Sequence, residues 1–155
     1  MAIDVGDIAP EFSLPGSSLA GSAARAYSLS EYRGHNVVLA FYPGDNTPVC
    51  TMQLKQYSAE FAEFEGLDAQ ILALSPQGLE SHEAFSTKEG GFAFPLLADT
   101  DKDVARAYGV LGPLGFYRRS VFVVAADGKI VYAHRSVTGL TFRKTAELVE
   151  VLRAK

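Results

Sequence analysis

The chain holds one cysteine, Cys50, preceded by Tyr42-Pro43-Gly44-Asp45-Asn46-Thr47-Pro48-Val49. The thiolate is the nucleophilic form of cysteine, so its chemistry depends on what stabilises negative charge beside it. The β-branched and aromatic run Val37 to Tyr42 reads as a buried strand that stops at Pro43 and Gly44. Thr47 suits a helix N-cap. Pro48 suits the first helical position, where its missing N–H costs nothing and its φ is already helical. Cys50 then falls in the first turn, where unpaired N–H groups and the positive end of the helix dipole favour an anion. In open α/β sheets ligands sit beyond the carboxyl ends of strands, which is where this turn begins. Helical spacing also sets the Thr47 hydroxyl beside the sulfur. The pattern predicts an activated thiol facing a polar reactant. The competing reading is an inert, buried Cys50, the common state of a free cysteine.

The elements that must position this thiol are legible in order. Residues 6–14 are an extended opening, since Pro10 forbids a helix interior. The segment from Pro15 to Ala26 reads as a surface loop or hairpin, and Ser28 to Gly34 as one helical turn. After Cys50, the apolar residues Leu54, Tyr57, Phe61 and Phe64 predict a helix from about Pro48 to Glu65, ended by Gly66. A strand over Gln70 to Leu74, a turn at Ser75-Pro76-Gln77-Gly78 and a helix from Leu79 to Thr87 follow. Phe94 to Leu97 is a short extended piece, and Asp101 is expected to cap a helix over Lys102 to Tyr108, closed by Gly109. Val110 to Phe116 reads as a loop. Ser120 to Val124 and Ile130 to His134 form a hairpin about Ala126-Asp127-Gly128, and Thr141 to Leu152 closes the chain as an amphipathic helix. Strands alternating with helices and ending in a hairpin predict a single α/β domain with a sheet of mixed direction over residues 1–155.

Totals narrow the function classes. Lys and Arg number 14 against 18 Asp and Glu, a net charge of −4 with no run of like charges, so nucleic acid, which needs a basic face, is not an expected partner. One cysteine makes no internal disulfide, no apolar segment is long enough to span a bilayer, and the opening residues lack the features of a signal peptide. A reducing cytoplasm is expected. Asp99-x-Asp101-x-Asp103 starts like a calcium loop, but Val104 and Val110 stand where glycine and glutamate are needed, and a capped helix start explains the acids better. His35, His82 and His134 show no ligand spacing, so no metal or other cofactor is assigned. Phe61, Phe64, Phe85 and Tyr108 sit at helical spacing and read as core.

Pro43-x-x-x-Thr47-x-x-Cys50 resembles the active-site motif of the peroxiredoxins, thiol peroxidases on a thioredoxin-like fold. Further stretches match that family in order and spacing: Gly6-x-x-Ala9-Pro10-x-Phe12-x-Leu14, Leu29 to Gly34, Leu97-Ala98-Asp99 leading to Ala107-Tyr108-Gly109-Val110, and Arg119-x-x-Phe122 before Asp127-Gly128. The nearest resemblance is to the branch typified by bacterioferritin comigratory protein, or peroxiredoxin Q, in its single-cysteine form. It implies a thioredoxin-like fold with an N-terminal extension and a mixed central sheet flanked by helices. It implies that Cys50 attacks hydrogen peroxide or an organic hydroperoxide and becomes a sulfenic acid. Thr47 would hydrogen-bond the peroxide, Pro43 would shield the thiol from bulk solvent, and Arg119 would lie near sulfur and oxygen. Arg118 is the rival of Arg119: successive strand residues face opposite sides, and the family spacing to Phe122 favours Arg119. The apolar residues Val49, Leu114, Phe116 and Tyr117 would serve an organic hydroperoxide or a subunit contact.

The chain departs from that branch twice. Lys55 stands where a resolving cysteine is often found, so the resemblance implies a single-cysteine cycle closed by an external thiol: thioredoxin, glutaredoxin or a low-molecular-weight thiol, in a monomer or homodimer. Gln53 stands where relatives commonly carry glutamate, which predicts a tuned arginine network. Lowering a thiol pKa from about 8.5 to about 6 raises the thiolate fraction at neutral pH roughly thirtyfold, but the accompanying loss of nucleophilicity returns about tenfold of it. A fast peroxidase therefore needs donors for charge developing along the O–O bond. Two rivals remain. A disulfide oxidoreductase wants Cys-x-x-Cys, and Gln53 occupies the second position; a non-catalytic binding or chaperone module would leave Cys50 merely buried.

Overall fold

The computed structural model describes residues 3–19, 23–112, 115–136 and 144–154. Seven strands form one mixed sheet: β1 (Ser13–Gly16), β2 (Arg25–Ser28), β3 (Asn36–Phe41), β4 (Ala69–Ser75), β5 (Leu96–Ala98), β6 (Ser120–Val124) and β7 (Ile130–Arg135). Their order is β2-β1-β5-β4-β3-β6-β7. β3 pairs parallel with β4 and β4 with β5, while β6 lies antiparallel to β3 and β7 antiparallel to β6. The helices are α1 (Pro48–Ala59), α2 (Phe61–Glu65), α3 (Leu79–Lys88), α4 (Asp103–Tyr108) and α5 (Thr145–Ala154), with a 3-10 turn over Leu29–Tyr32. Parallel pairing requires long crossovers, which α1 with α2 and then α3 supply.

Side chains alternate across the sheet and so build two cores. Val37, Leu39 and Phe41 of β3 join Phe122 and Val124 of β6 and Tyr108 on one face. There the rings of Phe41, Tyr108 and Phe122 pack with centroids 5.3–5.7 Å apart. Val38 and Ala40 point the other way, with Val121 and Val123, and meet Cys50, Leu54 and Tyr57 of α1 and Leu148 and Leu152 of α5. β3 is buried at every position, as expected of a central strand covered on both faces.

Two expectations are revised. The helix expected over 48–65 divides at Glu60 (φ −104°, ψ 18°), whose N–H is shared between the carbonyls of Gln56 and Ser58. No proline or glycine marks that break, so the apolar spacing ran through it. Asp101 caps α4 only in part: its carboxylate accepts from the Asp103 N–H (3.0 Å), but Lys102 stands before the helix in a left-handed conformation, and the buried Asp99 carboxylate accepts from the N–H groups of Val104 (3.2 Å) and Ala105 (2.9 Å). The stretch expected as loop or hairpin is a hairpin, with Leu14 paired to Tyr27. The closing helix begins, among the described residues, at Thr145; the expectations for residues 141–143, including Phe142, and for Leu114 lie outside them. Among the described residues no helix is long and apolar enough to cross a membrane.

The register of β1 against β2 and β5 needs a residue without a side chain. A Cβ on Gly16 would sit 2.5 Å from the Tyr27 ring and 2.7 Å from Leu97 Cδ2, both packed in the core. Gly16→Ala is expected to lower unfolding stability by about 1–3 kcal/mol, read by chemical denaturation; a variant as stable as wild type would show that this edge is loosely packed.

Candidate active site

β3 ends at Phe41, but Tyr42 still donates its N–H to the Leu74 carbonyl (2.9 Å), so the chain leaves the sheet at Pro43. The loop 43–47 then turns into α1. Thr47 holds the N-cap position with extended backbone and Pro48 the first turn, yet the Thr47 side chain does not cap the helix. Its hydroxyl donates to the Gly44 carbonyl (3.2 Å). The N–H groups of the first turn are therefore not taken by that side chain, and Cys50 sits among them, fully buried.

Arg119 reaches this thiol from the residue before β6. It shares the parity of Val121 and Val123, which face α1, and the residue as a whole is 3% exposed. Nη2 donates to Cys50 Sγ at 3.1 Å and Nη1 to Gln53 Oε1 at 2.6 Å; Gln53 Nε2 in turn donates to the Tyr57 hydroxyl (3.4 Å). Gln53, one helical turn after Cys50 and fully buried, thus fixes the direction in which the guanidinium points. Arg118 turns away, its Nε donating to the Ser136 carbonyl (3.3 Å). A buried, charged donor aimed at sulfur suits an anionic sulfur and an oxyanion forming beside it.

Of the other anticipated residues, Pro43 and Thr47 lie exposed on the loop that leads into α1, linked to Cys50 through the chain. Tyr117 does not line the site: it is buried in the opposite core and donates to Asp99 (2.6 Å). Phe116 is 69% exposed with the Lys102 ammonium 5.9 Å from its ring, and Val49 is half-buried. Among the described residues no three His, Cys, Asp or Glu side chains group to hold a metal ion.

Sequence reasoning missed a buried polar cluster beneath the loop. Asp45, two residues after Pro43, accepts from the Tyr42 hydroxyl (2.7 Å), the Ser81 hydroxyl (2.7 Å) and His82 Nδ1 (2.8 Å). The Asp45 N–H also donates to Gln77 Oε1, and His82 Nε2 faces the Leu97 carbonyl (3.0 Å). The side chains of Asp45 and His82 are both 0% exposed. The partners arrive from the turn before α3 and from α3 itself, so no local spacing announces them. The only available signal was an acid inside the cysteine motif.

Burial pushes the Asp45 carboxyl up, but the hydrogen bond and charge of His82, with Ser81 and Tyr42, more than offset that and leave it below its ordinary value. Burial, and then the Asp45 charge, push the Tyr42 phenol well above its ordinary value, so it remains a donor. A carboxyl lowered by folding contributes stability above its unfolded pKa and loses that contribution as pH falls through the folded value. Asp45→Asn is expected to cost about 3 kcal/mol at neutral pH, with the gap to wild type narrowing below the carboxylate range. Unfolding measured across acidic pH checks this, and a gap independent of pH would contradict it.

A mixed sheet flanked by helices, with a thiol opening the helix after a central strand, defines a class: thioredoxin-like α/β proteins that carry a redox-capable cysteine. Within it the chain belongs to the AhpC/TSA family, whose model matches residues 5–133. It is 36% identical over 136 residues to peroxiredoxin Bcp of Xanthomonas campestris, covering 83% of this chain and 82% of that protein. Among solved structures it is similar to Xanthomonas campestris peroxiredoxin Q (34% identity, TM-score 0.75, covering 91% of this chain and 90% of that one). It is also similar to Mycobacterium tuberculosis AhpC (26% identity, TM-score 0.90, covering 99% and 93%). The enzyme is accordingly a thiol-dependent peroxidase of the peroxiredoxin type, taking a peroxide as oxidant and a thiol as reductant.

Proposed function

We propose that the enzyme runs a single-cysteine cycle on Cys50. The Cys50 sulfur attacks the terminal oxygen of a hydroperoxide; the S–O bond forms, the O–O bond breaks, and the sulfur loses two electrons. The leaving alkoxide or hydroxide takes a proton and departs as alcohol or water, leaving a sulfenic acid. An external thiol then attacks that sulfur to give a mixed disulfide and water, and a second thiol releases reduced Cys50. The observation that carries this reading is the Arg119 guanidinium at 3.1 Å from the sulfur. Such a donor stabilises charge as it moves from sulfur to the leaving oxygen, while Thr47 and the first-turn N–H groups hold the peroxide. Pro43, at the mouth of the loop, limits the water that reaches the sulfur.

The resolving step cannot be internal, because the chain has one cysteine. Lys55, the counterpart of the resolving position, is instead paired with Glu89 across to the end of α3 (3.5 Å). The external thiol is thioredoxin, glutaredoxin or a small thiol of a reducing cytoplasm, and the unit that reacts is one domain, alone or in a homodimer. A merely buried cysteine in a binding module would not need a buried arginine at its sulfur, since bringing that cation out of water costs several kcal/mol.

Reduced protein mixed with one equivalent of hydrogen peroxide is expected to consume it and to form one sulfenic acid, trapped by a dione reagent and mapped to Cys50. Cys50→Ser should do neither; equal consumption by both proteins would exclude the reading. Thr47→Val should slow peroxide reduction about a hundredfold while leaving the thiol alkylatable. A wild-type rate would remove Thr47 from the site.

A further inference from the structure

The loop that presents Pro43 and Thr47 is held from below by groups outside the cysteine motif. Asp45 takes three side-chain hydrogen bonds, from Tyr42, Ser81 and His82, and its own N–H is taken by Gln77. His82 Nδ1 lies 2.8 Å from the Asp45 carboxylate and Nε2 3.0 Å from the Leu97 carbonyl, so both edges of the ring are held. A continuous buried path therefore runs from β5 through His82 to the middle of the loop. Gly44, buried beside it, faces Gln77 Oε1 at 3.2 Å from where a Cβ would stand, and its carbonyl takes the Thr47 hydroxyl. The Thr47 side chain is thus oriented by a residue whose neighbour is pinned to α3.

We infer that Asp45 and His82 are positioning residues for the peroxide-binding loop: the buried pair, with Ser81, sets where Gly44 and Thr47 stand relative to the Cys50 sulfur. This rests on the proposed role of Thr47. The pair touches neither sulfur nor peroxide, and its effect reaches the reaction through the backbone of the loop. A buried pair is a poor general source of stability, because desolvation consumes most of its attraction, but it is directional, and direction is what a loop with few apolar contacts lacks. Displacing reacting groups by about an ångström costs on the order of a hundredfold in rate.

The test compares two electrophiles at Cys50, hydrogen peroxide and iodoacetamide, in full-length wild type, Asp45→Asn, Ser81→Ala and Thr47→Val. Iodoacetamide reads the sulfur alone, and peroxide reads the sulfur and the loop together. Asp45→Asn is expected to lower the peroxide rate constant about tenfold to a hundredfold with alkylation nearly unchanged. Ser81→Ala, which removes one bond to the same carboxylate and keeps the His82 contact, should shift the ratio of the two rates in the same direction by less. If Asp45→Asn does not fold, the Ser81→Ala ratio decides: an unchanged ratio overturns the inference. Equal losses toward both electrophiles also overturn it, because they would mark a general loosening around Cys50. Should Thr47→Val lower the ratio while the Asp45 and Ser81 variants keep it, only the inference falls. Should Thr47→Val keep it as well, the role of Thr47 falls and the inference with it.

Discussion

The site depends on one contact between sheet and helix, the guanidinium of Arg119 against the sulfur of Cys50. A cation with 3% of its surface exposed is costly to bury, and its position is tolerable only because its donors are taken. Two of those acceptors are Cys50 Sγ at 3.1 Å and Gln53 Oε1 at 2.6 Å, both on α1. The contact therefore needs β6 next to β3, α1 laid across that pair of strands, and the first turn of α1 facing the start of β6. The mixed direction of the sheet meets these needs. β3 runs parallel to β4 and sends the chain into α1, and antiparallel β6 starts where β3 ends, with Phe41 opposite Ser120.

Gln53 makes the acceptor for this cation neutral. A glutamate there would compete with the sulfur and the peroxide for the guanidinium charge; an amide satisfies the same N–H without neutralising it. The amide is itself held by Tyr57, so orientation passes along the buried face of α1 from Tyr57 to Gln53 to Arg119 to Cys50. Leu54 and Tyr57 anchor that face in the core shared with Val121 and Val123.

Much of this was legible in the residues because it is local. The strand before Pro43, the helix start at Thr47-Pro48 and the hairpin about Asp127-Gly128 follow from propensities and turn chemistry; strand parity lets only one of Arg118 and Arg119 face α1, and the family spacing to Phe122 singled out Arg119. What escaped was long-range or geometric. His82 lies 37 residues from Asp45, and only the packing of α3 against the sheet brings them together. Asp101 takes only the first N–H of α4, as its place on the immediate flank suggests; the next two go to Asp99, which lies five residues before Val104, beyond the reach of a helix-capping pattern. Tyr117 was expected among the apolar residues near the thiol, but it turns into the opposite core, where its hydroxyl donates to Asp99. The division at Glu60 left no trace, since the apolar spacing suits one helix or two.

In the proposed cycle Arg119 acts chiefly on charge developing in the peroxide and only secondarily on the thiol. Single-turnover oxidation of Cys50 by hydrogen peroxide, set beside its alkylation by a neutral reagent in wild type and Arg119→Ala, measures that division. The variant is expected to lose on the order of a hundredfold or more toward peroxide and far less toward the alkylating reagent. Equal losses toward both, or a variant that reduces peroxide at the wild-type rate, would contradict it.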